Sequence, residues 1–171
     1  MTAPEPPPEF HRPLAVLRLA SGPHSDSITA TPAECAALAI RMGLPSIASL
    51  VCAFTLHPRP AGQFLAEGRL RARITQTCVV SLEDFTARLD EHFRVVFAPA
   101  DLDAADDDPE SDDVVPYAGT AIDLGEAAAE QLALMLDPYP RKPDASIAPV
   151  DSDITPASPF AALARLRKPP S

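Results

Sequence analysis

Tryptophan is absent from the 171 residues, glycine occurs only six times, cysteine three times, and no apolar run approaches the ~18 residues that mark a membrane span. Each scarcity removes a class of function. With so few glycines there is no G-x-x-x-x-G-K-[ST], G-x-G-x-x-G or G-x-S-x-G pattern, so nucleotide hydrolysis and hydrolase-type catalysis have no support. Cys35, Cys52 and Cys78 are odd in number and widely spaced, without a C-x-x-C or H-x-x-x-H companion, which argues against a disulfide framework and against a complete zinc site. The opening "MTAPEPPPEF" has neither a basic n-region nor an apolar h-region. A cytoplasmic, non-enzymatic protein is expected, with no cofactor, no metal, no membrane association and no small-molecule substrate.

Proline and aspartate are abundant instead. A hydrophobic fraction of 46% suits one globular domain of this length, whereas 21 prolines, unevenly placed, imply that part of the chain is unpacked. The formal charge is −10, but "ADLDAADDDPESDDVV", from Ala100 to Val115, carries eight acids and no base, and so accounts for all but two of those net charges. The remainder is nearly neutral with clustered bases, and the overall sign excludes neither RNA nor a basic protein as partner. The expected organisation is a tail over 1–12, one domain over 13–143 containing an acidic loop at 100–118, and a proline-rich linker with a short C-terminal helix over 144–171.

Within the domain the apolar period changes from element to element. "LAVLRLA" from Leu14 reads as a strand. Thr31, Pro32 and Glu34 then form a capping box with proline at the first helical position, and Gly43 supplies a stop. Alternation over Ala48–Leu56, again over the run from Phe64 to Cys78, and a third time from Phe85 to Phe97 predicts three strands with short connections, an antiparallel meander. Asp123 and Glu126 open a second helix with Leu124, Ala128, Leu132, Met135 and Leu136 on one stripe, and Pro138 and Pro140 close it. The fold class is therefore α+β: an antiparallel sheet with two packed helices, a disordered acidic loop and proline-rich tails. At the C-terminus Ser158 and Pro159 begin a short helix in which Phe160, Leu163 and Leu166 recur every three residues, too short to be stable unless docked on a partner.

Strand parity assigns the candidate chemistry. Cys78 shares a face with Leu70, Ala72 and Ile74, the face to be buried, where a thiol acts as a small inert hydrophobe; a nucleophilic role would require a nearby base. Gln76 breaks that face, and its amide either finds partners inside or marks where the sheet meets water. On the opposite face Arg69, Arg71 and Arg73 recur about 6.5 to 7 Å apart, a spacing able to follow a phosphate backbone, with Thr75 and Thr77 as neutral donors. The alternative is a solvated face paired with acids of the next strand, such as Asp90. Arg141 and Lys142 in "DPYPRKP", and Arg165, Arg167 and Lys168 in the tail, are further candidate phosphate contacts, with Tyr139 available to stack on a base.

"EGRLRARITQTCVVSLEDF", "FRVVFAP", an acidic gap, "IDLGEAAAEQLALMLDPYPRKP" and a terminal "SPFAALARLR" resemble, in the same order, the YceD family of bacterial large ribosomal RNA subunit accumulation proteins, here in what looks like an alphaproteobacterial-type variant. The resemblance implies a part in 23S rRNA accumulation or large-subunit maturation by binding rRNA or a pre-50S particle. Many members have C-x-x-C where this chain has "CVVS", so Cys78 stands at the first cysteine and Ser81 at the second, and the resemblance carries Cys78 over only as a structural position. The rival expectation is an adaptor that binds a basic ribosomal or assembly protein through the acidic loop without touching RNA.

Overall fold

A computed structural model describes residues 8–102 and 112–146. Residues 103–111 of the expected acidic loop, the tail helix with Phe160, Leu163 and Leu166, and the bases Arg165, Arg167 and Lys168 lie outside the described residues.

Five strands form one sheet in the order β2-β3-β4-β5-β6: β2 His24–Thr29, β3 Ser46–Pro58, β4 Phe64–Thr77, β5 Asp84–Pro99 and β6 Asp113–Tyr117. The pairs β2–β3, β3–β4 and β4–β5 are antiparallel, whereas β6 joins β5 in parallel. A small second ladder pairs β1 (Pro13–Ala15) with β7 (Ala121–Asp123). The helices are α1 (Val16–Leu19), α2 (Pro32–Met42) and α3 (Leu124–Met135). The chain is thus α+β, and the three expected strands form the expected meander.

The two faces of the meander differ as the alternation requires. Leu50, Cys52, Phe54 and Leu56 of β3 and Phe64, Ala66, Leu70, Ala72 and Ile74 of β4 turn inward, joined by Cys35 and Leu38 of α2 and Ala128 and Leu132 of α3 in one core. Each large side chain so buried contributes roughly 1.5–3 kcal/mol. Gly68 falls on the same face, where the Phe93 ring of β5 takes the space of a side chain; an added Cβ would come within 2.1 Å of that ring. Phe93 in turn meets Phe54 edge-on, with centroids 5.6 Å apart.

Both helix starts behave as read. The Thr31 hydroxyl accepts from the Glu34 N–H at 3.3 Å while Glu34 accepts from the Thr31 N–H at 2.7 Å, and Gly43 takes the left-handed conformation (φ 65°) that ends α2. Asp123 caps α3 through the N–H groups of Gly125 and Glu126 and also holds the Arg12 N–H at 2.8 Å. Arg12 forks onto Glu34 at 2.8 and 2.9 Å, and Arg41 at the end of α2 grips Glu126 of α3 at 2.6 and 3.0 Å. These bridges fix both helices over the inner face, and no described helix covers the other face of the sheet.

Three elements differ from expectation. "LAVLRLA" extends only to Ala15 and then turns into α1. The edge strand β2 has no alternation to announce it, since of its six residues only Ile28 is buried. Part of the segment expected as loop, Asp113–Tyr117, pairs as β6, whose Val115 packs against the core and whose Tyr117 hydroxyl donates to the Gly62 carbonyl at 2.7 Å.

Candidate nucleic-acid interface

Arg69, Arg71 and Arg73 are all exposed on the uncovered face, while their neighbours Leu70, Ala72 and Ile74 are buried beneath. Cross-strand register supplies what parity alone did not. Arg69 lies opposite His92, Arg71 opposite Asp90, and Arg73 opposite Arg88. Arg69 reaches diagonally to Asp90 and donates to both carboxylate oxygens, at 2.7 and 2.9 Å; this contact lowers the Asp90 pKa and raises that of Arg69. The alternative of an ion-paired face therefore holds for one of the three arginines. Among the described residues no ion pair involves Arg71, Arg73 or Arg88. Arg73 and Arg88, like charges facing each other across β4 and β5, are a destabilising cross-strand pair.

The described surroundings leave these guanidinium groups exposed. Beside the arginine row, β3 presents Ser49, Val51 and Ala53, in register with Arg73, Arg71 and Arg69. The step from these short side chains to the long arginines forms two shallow concavities. One, of about 570 Å³, lies between Ala53, Arg69, His92 and Arg94; the other, of about 530 Å³, lies between Ser49, Val51, Arg71, Arg73 and Arg88. At the far end Arg94 donates to Asp112 at 3.2 Å, and Arg59 approaches the same carboxylate at 3.7 Å.

The "PRK" segment is placed elsewhere. The Pro140 carbonyl accepts from the Val79 N–H at 2.9 Å, Lys142 donates to Glu83 at 2.8 Å, and Arg141 is exposed, so the segment packs on the β4–β5 turn rather than beside the arginine row. Gln76 is buried, with its amide 3.5 Å from the Asp137 carbonyl, a long contact that ties the sheet to the end of α3.

Cys78 is fully buried, as its parity requires, but its surroundings are not apolar. Its Sγ accepts from the N–H groups of Val80 and Ser81, each at 3.4 Å. The Ser81 hydroxyl foremost, and the N–H groups of Lys142, Ser81 and Val80, pull its pKa down to about 6. Cys52, enclosed by hydrocarbon, is pushed up to about 12 by burial. Cys78 is thus buried as expected of a packing thiol, but beneath a polar turn that favours the thiolate.

The family model for the large ribosomal RNA subunit accumulation protein YceD matches residues 66–167. The chain belongs to the YceD family. Its role accordingly lies in ribosome biogenesis, in association with the large subunit or its RNA, and the family is one of accumulation factors rather than of enzymes. No curated protein and no solved structure matches the chain. The YceD match takes in Arg69, Arg71, Arg73, Arg88, the Cys78 turn, α3 and the stretch with Phe160, Leu163 and Leu166, while β2, α2 and β3 precede it. No described helix is long and apolar enough to cross a membrane.

At the turn after Cys78 the Ser81 hydroxyl serves the Cys78 sulfur, and the described residues contain no group of three or more His, Cys, Asp or Glu side chains able to hold an ion. Arg88 belongs to the candidate interface, although strand parity alone did not join it to the arginine row. It is visibly outward-facing in the sequence, but its place beside Arg73 is a matter of pairing register, which no local pattern contains.

Proposed function

We propose that the protein promotes 23S rRNA accumulation by binding rRNA, or an assembling large subunit, through the uncovered sheet face, with Arg71, Arg73 and Arg88 as phosphate contacts and Arg69 joining them when it leaves Asp90. The observation that carries this reading is the pairing of Arg73 with Arg88 on an open face, with no acid joined to either among the described residues. Such an arrangement costs the isolated protein free energy that a polyanion removes. Arg141, Lys142, Arg165, Arg167 and Lys168 are secondary contacts in this reading, and Phe160, Leu163 and Leu166 dock the tail on a protein partner.

The competing reading is an adaptor that meets a basic ribosomal or assembly protein through the acids of the segment ending at Asp113, and the net charge of −10 favours it. One experiment separates the two. Tagged wild type, the triple variant Arg71→Gln/Arg73→Gln/Arg88→Gln and a deletion of residues 103–111, which spares β6, are purified from cells with and without ribonuclease. Loss of large-subunit rRNA from the triple variant, with retention in the deletion, supports the sheet face. The reverse pattern supports the adaptor.

A further inference from the structure

We infer that the partner of the arginine face is paired RNA, engaged through its backbone, and not an unstacked single strand; this deepens the reading above and rests on it. The decisive feature is what the face presents besides charge. Proteins that hold single-stranded RNA on a sheet do so by stacking bases on exposed aromatic rings, because splayed bases need a surface to cover them. Here every described phenylalanine turns away from the arginines. Phe54, Phe64 and Phe97 are buried in the core together with Phe10, and Phe93 lies inward against Gly68 and Phe54. Phe85 shares the inward parity of Phe93 along β5. The Tyr117 hydroxyl is committed to the Gly62 carbonyl, and Tyr139, although exposed, follows α3 on the helix side, next to the Asp137 carbonyl that meets the inward-facing Gln76.

Beside the guanidinium groups the face offers serine, threonine, alanine and valine from β3 and β4: Ser49, Val51, Ala53, Thr75 and Thr77. Such a surface can neutralise phosphates and meet ribose hydroxyls, but among the described residues it offers no phenylalanine, tyrosine or tryptophan ring to cover an unstacked base, only the smaller imidazoles of His57 and His92. A double helix requires none, since its bases are already stacked and its wide, shallow minor groove displays phosphates and 2′-hydroxyls. Arg71 with Arg73 along β4, and Arg88 across from Arg73 on β5, form a compact triangle of charge next to the low strip of β3. One strand of the duplex backbone lies along that strip in the proposed complex.

The test compares the full chain against two labelled ligands by fluorescence anisotropy: a ~20-base-pair RNA duplex and oligouridine with the same number of phosphates. The duplex is expected to bind at least ~5-fold more tightly, and Arg71→Gln/Arg73→Gln/Arg88→Gln to remove that binding while the circular dichroism of the fold is unchanged. Oligouridine binding equally or more tightly overturns the inference and leaves the RNA reading intact. Binding of neither ligand overturns both. Duplex binding that persists undiminished in the triple variant places the paired RNA elsewhere and also overturns the inference.

Discussion

Replacing Asp90 by asparagine tests the interface without removing any of its cations. The substitution preserves the side-chain shape and discards the charge that holds Arg69 at 2.7 and 2.9 Å and faces Arg71 in the strand register. Both members of the pair are about half exposed, at 51% and 49%, so water screens the attraction and the thermal midpoint of the folded protein should hardly change. Binding should respond far more. Each phosphate neutralised adds ~0.7–0.9 to the magnitude of the slope of log affinity against log salt, so a freed Arg69 deepens the loss over a tenfold rise in salt by about five- to eightfold. Anisotropy titrations of an rRNA fragment across that salt range read this directly. If Asp90→Asn binds no more tightly at low salt and shows the wild-type slope, Arg69 takes no part in phosphate contact.

The fold and the turn chemistry yield further expectations. Gly68→Ala drives a methyl group into the Phe93 ring, which has Phe54 behind it, and should lower stability by about 1–3 kcal/mol in denaturant unfolding; an unchanged midpoint would show that the ring moves aside freely. The carboxyl of Glu34 is held down at about 2, first by the Arg12 guanidinium and then by Thr31. Because the folded value is depressed, its stabilisation is fully present above the unfolded value of ~4.3 and is lost as pH falls toward 2. Solvent screening limits it to about 1–2 kcal/mol, so Glu34→Gln should lower the midpoint at neutral pH and converge with wild type in acid; a gap independent of pH would contradict the ion pair. The thiolate ultraviolet absorbance of Cys78 in the folded protein should rise through a midpoint near pH 6, and Ser81→Ala should move that midpoint upward. A midpoint in the ordinary thiol range would show that the turn does not stabilise the thiolate.

What could be read in advance was whatever a short window contains. Thr31, Pro32, Glu34 and Gly43 are local devices, and each acts as its type dictates because a helix end leaves unpaired groups that only a neighbour in sequence can reach. The alternation along β3, β4 and β5 placed Arg69, Arg71 and Arg73 outward for the same reason. The elements not foreseen depend on distant partners. β2 is polar because it lies at an edge, and only its pairing with Cys52 and Phe54 of β3 makes it a strand. β6 contains Pro116, which a central strand would not tolerate, and it survives at the other edge by pairing in parallel with β5. The Cys78 thiolate is favoured in part by the Lys142 N–H, brought back over the turn only after α3 has crossed the core. Arg88 stands beside Arg73 through register, the one property of a sheet that no single strand records.

The central claim is that this YceD protein meets RNA phosphates with the open face of its sheet, and the salt dependence of binding tests it most directly. Wild type and Arg71→Gln/Arg73→Gln/Arg88→Gln should be titrated with the same large-subunit rRNA fragment from low to high salt. Loss of three phosphate contacts predicts a slope shallower by about 2 to 3 log units per log unit of salt. Equal slopes for the two proteins would contradict the claim.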